Sequence, residues 1–221
     1  PFALVVKKNT FEKCNLKEQS HKKYSLTRED AVKIILDYEE GDDIFVSTTG
    51  KLSRELFEYR VEKKQNHNKD FLTVGSMGHA NQIALGIAKV KTSKRIVCID
   101  GDGALLMHMG GMATIGCSSS TNLFHIILNN GAHDSVGGQP TVAFEASLNK
   151  IASACGYGLV EGPLKDASEI RKSVQRLSQL PGNRFLEIQV RKGSRDDLGR
   201  PKETPSFNKE LFIRRLRRRE K

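Results

Sequence analysis

Short apolar runs alternate with longer segments of helical periodicity between residues 27 and 192. The apolar runs predict strands at residues 44–47, 71–74, 95–100, 123–128, 157–160 and 184–190. Apolar residues spaced three and four apart predict helices at residues 27–38, 52–59, 80–90, 105–115, 144–155 and 167–179. Thr27 followed by Glu29 and Asp30 is typical of the start of the first helix.

This alternation predicts the fold class. Strands that alternate with helices indicate an α/β fold with a mostly parallel sheet flanked by helices. Because the strands are apolar throughout, helices are expected on both faces of the sheet. We expect this domain at residues 27–192, preceded by a linker segment at residues 1–26. Residues 193–221 are expected to form an extended basic tail, since Pro201 and Pro205 oppose a helix there.

Two of the predicted strands end in oxygen-bearing side chains. Gly101-Asp102-Gly103 follows one strand, and Asn129-Asn130 follows the next, with residues 104–128 between them. The carboxyl ends of parallel strands share one edge of the sheet, where ligands bind. The Asp102 carboxylate and the Asn130 amide oxygen suit Mg²⁺, which proteins hold with one or two side chains and phosphate oxygens. Two ordinary tight turns are the alternative.

Backbone N–H groups at this edge are candidate phosphate ligands, because glycines allow close approach of the backbone. The predicted phosphate contacts are Gly101, Gly103, Ala104, His133, Asp134 and Ser135. Thr49, Gly50 and Lys51 form another strand-to-helix turn that offers a hydroxyl and a cation. A helix cap is the alternative role for Thr49.

Composition and charge argue against nucleic acid or a membrane as a partner of the chain. The chain of 221 residues has a formal net charge of +10, but much of the excess lies in residues 17–23 and 214–221. No nucleic-acid module accompanies these clusters, so we favour a solvated basic tail over a nucleic-acid site. No apolar run approaches the roughly 18 residues of a membrane span, and no secretory signal is visible. Four cysteines without a Cys-x-x-Cys pair indicate reduced thiols in a cytoplasmic protein.

Several longer segments resemble the carboxyl-terminal half of the phosphonopyruvate decarboxylases, which depend on thiamine diphosphate. These segments are residues 47–57, 70–80, 102–109, 129–141 and 197–201. The Gly-Asp-Gly and Asn-Asn pairs at their spacing resemble the thiamine diphosphate fingerprint. The resemblance covers nearly the whole chain. It implies a thiamine diphosphate-binding fold, with thiamine diphosphate and Mg²⁺ as cofactors.

The resemblance also implies roles for individual residues. The main-chain carbonyl of Ala132 would join Asp102 and Asn130 as a ligand of Mg²⁺. In the turn Gly75-Ser76-Met77, the Met77 side chain would support the bent cofactor, and the Gly75 carbonyl would accept from its amino group. A plain core position is the alternative for Met77.

The activity implied by the resemblance is non-oxidative decarboxylation of a 2-oxo acid. The substrate would be 3-phosphonopyruvate, and the products phosphonoacetaldehyde and CO₂. Lys51, Arg54 and His133 are the candidates for holding the phosphonate, and His133 is also the one candidate catalytic residue. His108 is expected to be structural, and His79 stays open between a structural and a functional role.

One part of such an enzyme has no counterpart in this chain. In the thiamine enzymes an activating glutamate lies on a separate pyrimidine-binding domain, for which these residues leave no room. We therefore expect this chain to need a pyrimidine-binding domain or subunit, in a homo- or hetero-oligomer. A sulfopyruvate decarboxylase β-type subunit is the alternative within the class. A non-catalytic scaffold or regulatory subunit is the alternative outside it.

Overall fold

A six-stranded parallel sheet forms the centre of the structure, a computed structural model that describes residues 2–7, 10–12 and 24–217. The strands are β1 (Ile44–Ser47), β2 (Asp70–Leu72), β3 (Ile96–Gly101), β4 (Leu123–Asn129), β5 (Ala132–His133), β6 (Gln139–Pro140), β7 (Leu159–Leu164) and β8 (Arg184–Gln189). The helices are α1 (Arg28–Asp37), α2 (Lys51–Glu62), α3 (Ala80–Val90), α4 (Asp102–Met107), α5 (Gly111–Gly116), α6 (Leu148–Ala154), α7 (Ala167–Gln179) and α8 (Pro205–Arg217). Strands β5 and β6 form a separate antiparallel hairpin. The predicted fold class, a mostly parallel sheet flanked by helices, is confirmed.

The order of strands in the sheet, β2-β1-β3-β4-β8-β7, places β3 and β4 at its centre. Ser47 of β1 pairs with Ile99 of β3, and Gly101 of β3 pairs with Leu128 of β4. All these strands run in the same direction, so the residues that follow them leave the sheet at one edge. The register therefore brings the segments after β1, β3 and β4 to the same place.

Alternate residues of the central strands enter two apolar cores, one on each face of the sheet. Phe45 and Val97 pack with α1, α2 and α7 in the first core. Val46 and Cys98 pack with α3, α5 and α6 in the second. Both faces are covered, which explains why the strands carry apolar residues at nearly every position.

The element boundaries follow the sequence closely, with a few differences; the strand expected at residues 71–74, for example, runs from Asp70 to Leu72. Helix α1 begins with the expected cap, because the Thr27 hydroxyl accepts from the Asp30 backbone N–H at 3.0 Å. The helix expected at residues 105–115 is divided into α4 and α5, where the glycine pair Gly110-Gly111 disfavours helix. The helix expected at residues 144–155 begins only at Leu148, and the strand expected at residues 157–160 runs from Leu159 to Leu164.

The extended tail predicted from residue 193 is wrong for residues 205–217, which form α8. Pro205 is the first residue of this helix, a position where the missing N–H has no intrahelical partner to lose. Phe212 of α8 is buried in the second core, and its ring centroid lies 5.2 Å from that of Phe71 on β2. The carboxyl-terminal region is therefore joined to the sheet by an apolar contact.

Other predictions concern the ends of the chain and its thiols. Much of the predicted linker, with the basic cluster at residues 17–23, lies outside the described residues. Within the part of the chain that the structure describes, no helix is both long and apolar enough to cross a bilayer. Cys98 is a buried free thiol, as expected, and Cys117 and Cys155 are also free.

We expect Phe212→Ala to lower the free energy of unfolding by about 3 kcal/mol, because it removes a buried aromatic ring and leaves a cavity. Phe207→Ala on the same helix is the matched control. Its ring is 49% exposed, so its loss should be below about 1 kcal/mol. Urea unfolding followed by circular dichroism measures both. Equal losses would show that the α8 contact does not stabilise the domain.

Candidate functional site

A cleft opens at the carboxyl edge of β1, β3 and β4. Its walls come from the loops after these strands and from the first residues of α1 and α2. It is lined by Arg28, Thr48, Thr49, Lys51, Leu52, Met77, Gly101, Asp102, Gly103, Ala104, Leu128, Asn130, Ala132, His133, Asp134 and Ser135.

Nearly all of the residues predicted to bind a cofactor line this one cleft. The exceptions are Gly50, Gly75 and Ser76, which belong to turns beside it. A Cβ atom on Gly50 would lie 3.4 Å from the Cβ of Ser135, and Gly75 and Ser76 directly precede Met77. The structure thus brings together segments that are far apart in the sequence.

Asp102 and Asn130 lie side by side on the floor of the cleft. The Asp102 Oδ1 accepts from the Asn130 backbone N–H at 3.4 Å, and its Oδ2 accepts from the Thr141 hydroxyl at 2.5 Å. Thr141 reaches this point because the chain folds back through the β5–β6 hairpin, where the Thr141 N–H donates to the Gly131 carbonyl. The aspartate is thereby held in one orientation.

The Asp102 carboxylate is in an unusual electrostatic position. It is 2% exposed, and this burial raises its pKa above the ordinary value, while the Thr141 and Asn130 hydrogen bonds offset only part of the effect. Among the described residues, no lysine, arginine or histidine forms an ion pair with it. A buried, uncompensated carboxylate beside the backbone of Asn130 fits a hard divalent cation.

Asn130 is oriented by Asp134. Its amide nitrogen donates to the Asp134 Oδ2 at 2.6 Å, and its amide oxygen accepts from the Ala132 N–H at 3.0 Å. Because Asp134 accepts only from the nitrogen, it fixes which end of the Asn130 amide faces the cleft. The Asp134 carboxylate is held in turn by the Gly193 N–H and by Arg28, each at 3.0 Å.

Arg28 and Glu55 complete this network, and the sequence analysis missed both. The Arg28 guanidinium donates two hydrogen bonds of 2.7 Å to the Glu55 carboxylate while its third nitrogen donates to Asp134. Both side chains are buried, and burial raises the pKa of Glu55, with the Arg28 contacts lowering it in part. The sequence signal that could have revealed this ion pair is Glu55, a charged residue among the apolar positions of α2.

His133 lies directly against the backbone of Gly103. A Cβ atom on Gly103 would be 2.5 Å from the His133 Nδ1, so only glycine leaves room for the ring. The β5–β6 hairpin and the start of α4 therefore close on each other across the cleft.

The Met77 turn is strained, and it places a large apolar side chain at the cleft. Gly75 has φ 71°, Gly78 has φ 88°, and Ser76, although it is not a glycine, has φ 45°. The glycines adopt positive φ without steric cost. At Ser76 such backbone is maintained only where the surrounding structure requires it, and it is frequent at ligand sites. Met77 lines the cleft, so the alternative of a plain core position does not describe it.

The structure also locates the remaining residues that the sequence analysis singled out. Arg54 does not line the cleft, whereas Lys51 does. Thr49 is not a helix cap, because Gly50 is the N-cap of α2 and no side chain caps it. His79 and His108 are in contact with each other next to the Met77 turn.

Comparison with known proteins defines the class. Residues 48–188 match the family described as thiamine pyrophosphate enzyme, C-terminal TPP binding domain. The chain therefore belongs to this family. A solved structure agrees with this assignment. In a superposition on benzoylformate decarboxylase from Polynucleobacter necessarius, the matched region covers 85% of this chain and 37% of that chain, with a TM-score of 0.64 and 13% sequence identity. This likeness shows the thiamine diphosphate-binding fold.

Within the family, the chain is similar to decarboxylases named for phosphonopyruvate and sulfopyruvate. Both of these 2-oxo acids carry a second anionic group. It is 40% identical over 165 residues to the phosphonopyruvate decarboxylase of Streptomyces viridochromogenes, covering 75% of this chain and 40% of that protein. It is 35% identical over 152 residues to sulfopyruvate decarboxylase subunit beta of Methanococcus maripaludis, covering 67% of this chain and 78% of that subunit. The chain thus spans about two fifths of the phosphonopyruvate decarboxylase. The resemblance inferred from the motifs is confirmed.

We expect Asp102→Asn to raise the melting temperature of the ligand-free chain, by about 2–4 °C for each kcal/mol gained. The raised pKa of Asp102 means that its ionised form destabilises the fold. The difference from wild type should therefore vanish as the pH falls and the carboxyl becomes protonated.

The same variant should lose any melting-temperature increase produced by Mg²⁺ with thiamine diphosphate, because the amide removes the charge that attracts the cation. Asp197→Asn is the control, since the Asp197 side chain is exposed. Scanning fluorimetry with and without ligands measures these shifts. A ligand-dependent increase retained in Asp102→Asn would contradict a metal role for this carboxylate.

Arg28→Gln should lower the free energy of unfolding by about 3–5 kcal/mol, because it leaves two buried carboxylates without their cation. The double variant Arg28→Gln/Glu55→Gln should regain part of that loss. Arg171→Gln, which removes an exposed pair, should change the free energy by less than about 1 kcal/mol. Urea unfolding tests the set, and a double variant no more stable than Arg28→Gln would refute the coupling.

Proposed function

We propose that the cleft binds the diphosphate of thiamine diphosphate through Mg²⁺. The observation that carries this proposal is the buried Asp102 carboxylate, which faces Asn130 without a cation in a domain of the thiamine pyrophosphate enzyme family. The ligands of Mg²⁺ from the chain would be Asp102, the Asn130 amide oxygen and the Ala132 carbonyl. The fold class and the family support thiamine diphosphate, while Mg²⁺ rests on the chemistry of these oxygens.

The other cleft residues divide by position. The start of α2 offers unpaired backbone N–H groups, the Thr49 hydroxyl and the Lys51 ammonium to the diphosphate. The backbone of residues 133–135 and of Gly101, Gly103 and Ala104 faces it from the other loops. Met77 would support the cofactor from below, after the strained turn of Gly75 and Ser76. When bound, thiamine diphosphate supplies an electron sink for cleavage of a carbon–carbon bond.

We propose further that another domain or subunit covers this cleft. Large apolar side chains are exposed on the segments around it: Val74 before the Met77 turn, Met107 at the end of α4, and Val136 and Val142 in and after the hairpin. Large exposed apolar groups on several segments around one cleft favour a protein interface. The covering partner would be a pyrimidine-binding domain or subunit that brings the activating glutamate, in a homo- or hetero-oligomer.

The complete enzyme would decarboxylate 3-phosphonopyruvate to phosphonoacetaldehyde and CO₂ without oxidation. The 40% identity to a phosphonopyruvate decarboxylase supports this substrate. The second candidate is sulfopyruvate, with the chain acting as a β-type subunit, because the chain covers 78% of one such subunit. Phosphonate metabolism and a cytoplasmic location remain predictions.

Calorimetric titration of thiamine diphosphate with and without Mg²⁺ tests the cofactor site. Binding should require Mg²⁺, weaken by at least about a hundredfold in Asp102→Ala, and persist in Asp197→Ala. The chain is then combined with a pyrimidine-binding half from a phosphonopyruvate decarboxylase or with a sulfopyruvate decarboxylase α subunit. CO₂ release from one of the two substrates, only in the presence of a partner, is expected. Absence of Mg²⁺-dependent binding would leave a non-catalytic scaffold as the better description.

A further inference from the structure

His79 and His108 form a pair of imidazoles beside the cleft. Their ring centroids lie 4.0 Å apart, and the planes are tilted by 52°. His79 stands immediately before α3, and His108 caps the end of α4. Both residues are exposed. Within residues 24–217, neither ring forms an ion pair or a hydrogen bond with a side chain, so each retains its full capacity to donate.

The pair is built into the wall that carries Met77. Gly78 follows Met77 directly and separates α4 from the turn. A Cβ atom on Gly78 would lie 3.0 Å from both the Ala104 carbonyl oxygen and the His108 Cδ2. Met77 and Ala104 line the cleft, so the two imidazoles lie next to residues of the cleft wall, although they do not line the cleft themselves.

The other cations near the cleft are already committed. The Arg28 guanidinium is held by Glu55 and Asp134. Lys51 lies at the start of α2, where the proposed function places the diphosphate. His133 lines the cleft from the hairpin side, against Gly103. The imidazole pair is therefore a group of possible cations next to the Met77 turn.

We infer that His79 and His108 together bind a tetrahedral oxyanion, the phosphonate or sulfonate of the substrate. This inference rests on the proposed function, in which Met77 supports the reacting end of the cofactor. The anionic group of such a substrate lies two bonds from its carbonyl carbon, so its site must adjoin Met77. Two adjacent imidazoles offer two N–H groups to one oxyanion, and hydrogen bonds to a charged acceptor are stronger than those to a neutral one. Contact with the partner would remove water and strengthen the interaction.

Kinetics of the complete assembly test this role with substrates that carry the phosphonate or sulfonate and with pyruvate, which lacks it. In His79→Gln and His108→Gln, kcat/KM for phosphonopyruvate or sulfopyruvate should fall at least about tenfold more than kcat/KM for pyruvate, mainly through KM. His67→Gln is the control, since His67 stacks on Phe57 away from the cleft. Comparison of phosphonopyruvate with sulfopyruvate identifies which oxyanion the pair prefers. Equal losses for all substrates, with unchanged thiamine diphosphate affinity, would overturn the inference.

A binding experiment separates this inference from the proposed function. Phosphonoacetate and sulfoacetate, which carry the anion but no keto group, are titrated into the isotope-labelled chain, and the histidine ring resonances are followed by NMR. The resonances of His79 and His108 should shift and saturate together, while those of His67 stay in place. Failure of the wild-type chain to bind thiamine diphosphate would refute the proposed function and leave this readout intact. Unmoved or unsaturated His79 and His108 resonances would refute the oxyanion site itself.

Discussion

The parallel pairing of β3 with β4 is the constraint on which the site depends. Gly101 pairs with Leu128, so Asp102 and Asn130 leave the sheet next to each other. In the sequence, residues 104–128 lie between the two motifs to which they belong. A slip of one residue would turn every apolar side chain of the strand to the opposite core. The apolar packing on both faces therefore holds the two polar side chains in register, and the chemistry at the edge depends on the cores beneath it.

Burial of charge is the second feature of this edge. Asp102 lacks a cation among the described residues, while Asp134 and Glu55 share the guanidinium of Arg28. The network runs from α2 through α1 to the hairpin and ends at the Asn130 amide. Each side chain of this network forms a hydrogen bond with the next one. The network thereby gives a defined geometry to loops that would otherwise move independently. Asp102 lies next to this network, and the described residues give it hydrogen bonds but no cation.

The sequence predicted the parts of the site that depend on strand ends, and it missed the parts that depend on helix packing. Asp102 and Asn130 follow two apolar strands, and parallel topology alone brings such ends together. Arg28 and Glu55 meet only because α1 packs beside α2, and no local pattern specifies that contact. The sequence does not predict helix α8, because prolines usually break helices; Pro205, however, lies in the first helical turn, which tolerates proline. The pairing of His79 with His108 needs the close approach permitted at Gly78.

The attachment of residues 26 and 27 to the sheet has a consequence for the evolution of this domain. The Arg191 N–H donates to the Leu26 carbonyl at 2.7 Å, and Thr27 forms a parallel bridge with Arg191. The chain is therefore anchored just before Arg28 enters the buried network, so the position of Arg28 does not depend on what precedes the anchor. A domain anchored in this way tolerates fusion to an upstream module and separation from it. Such tolerance fits a domain that is similar both to part of a longer decarboxylase and to most of a separate subunit.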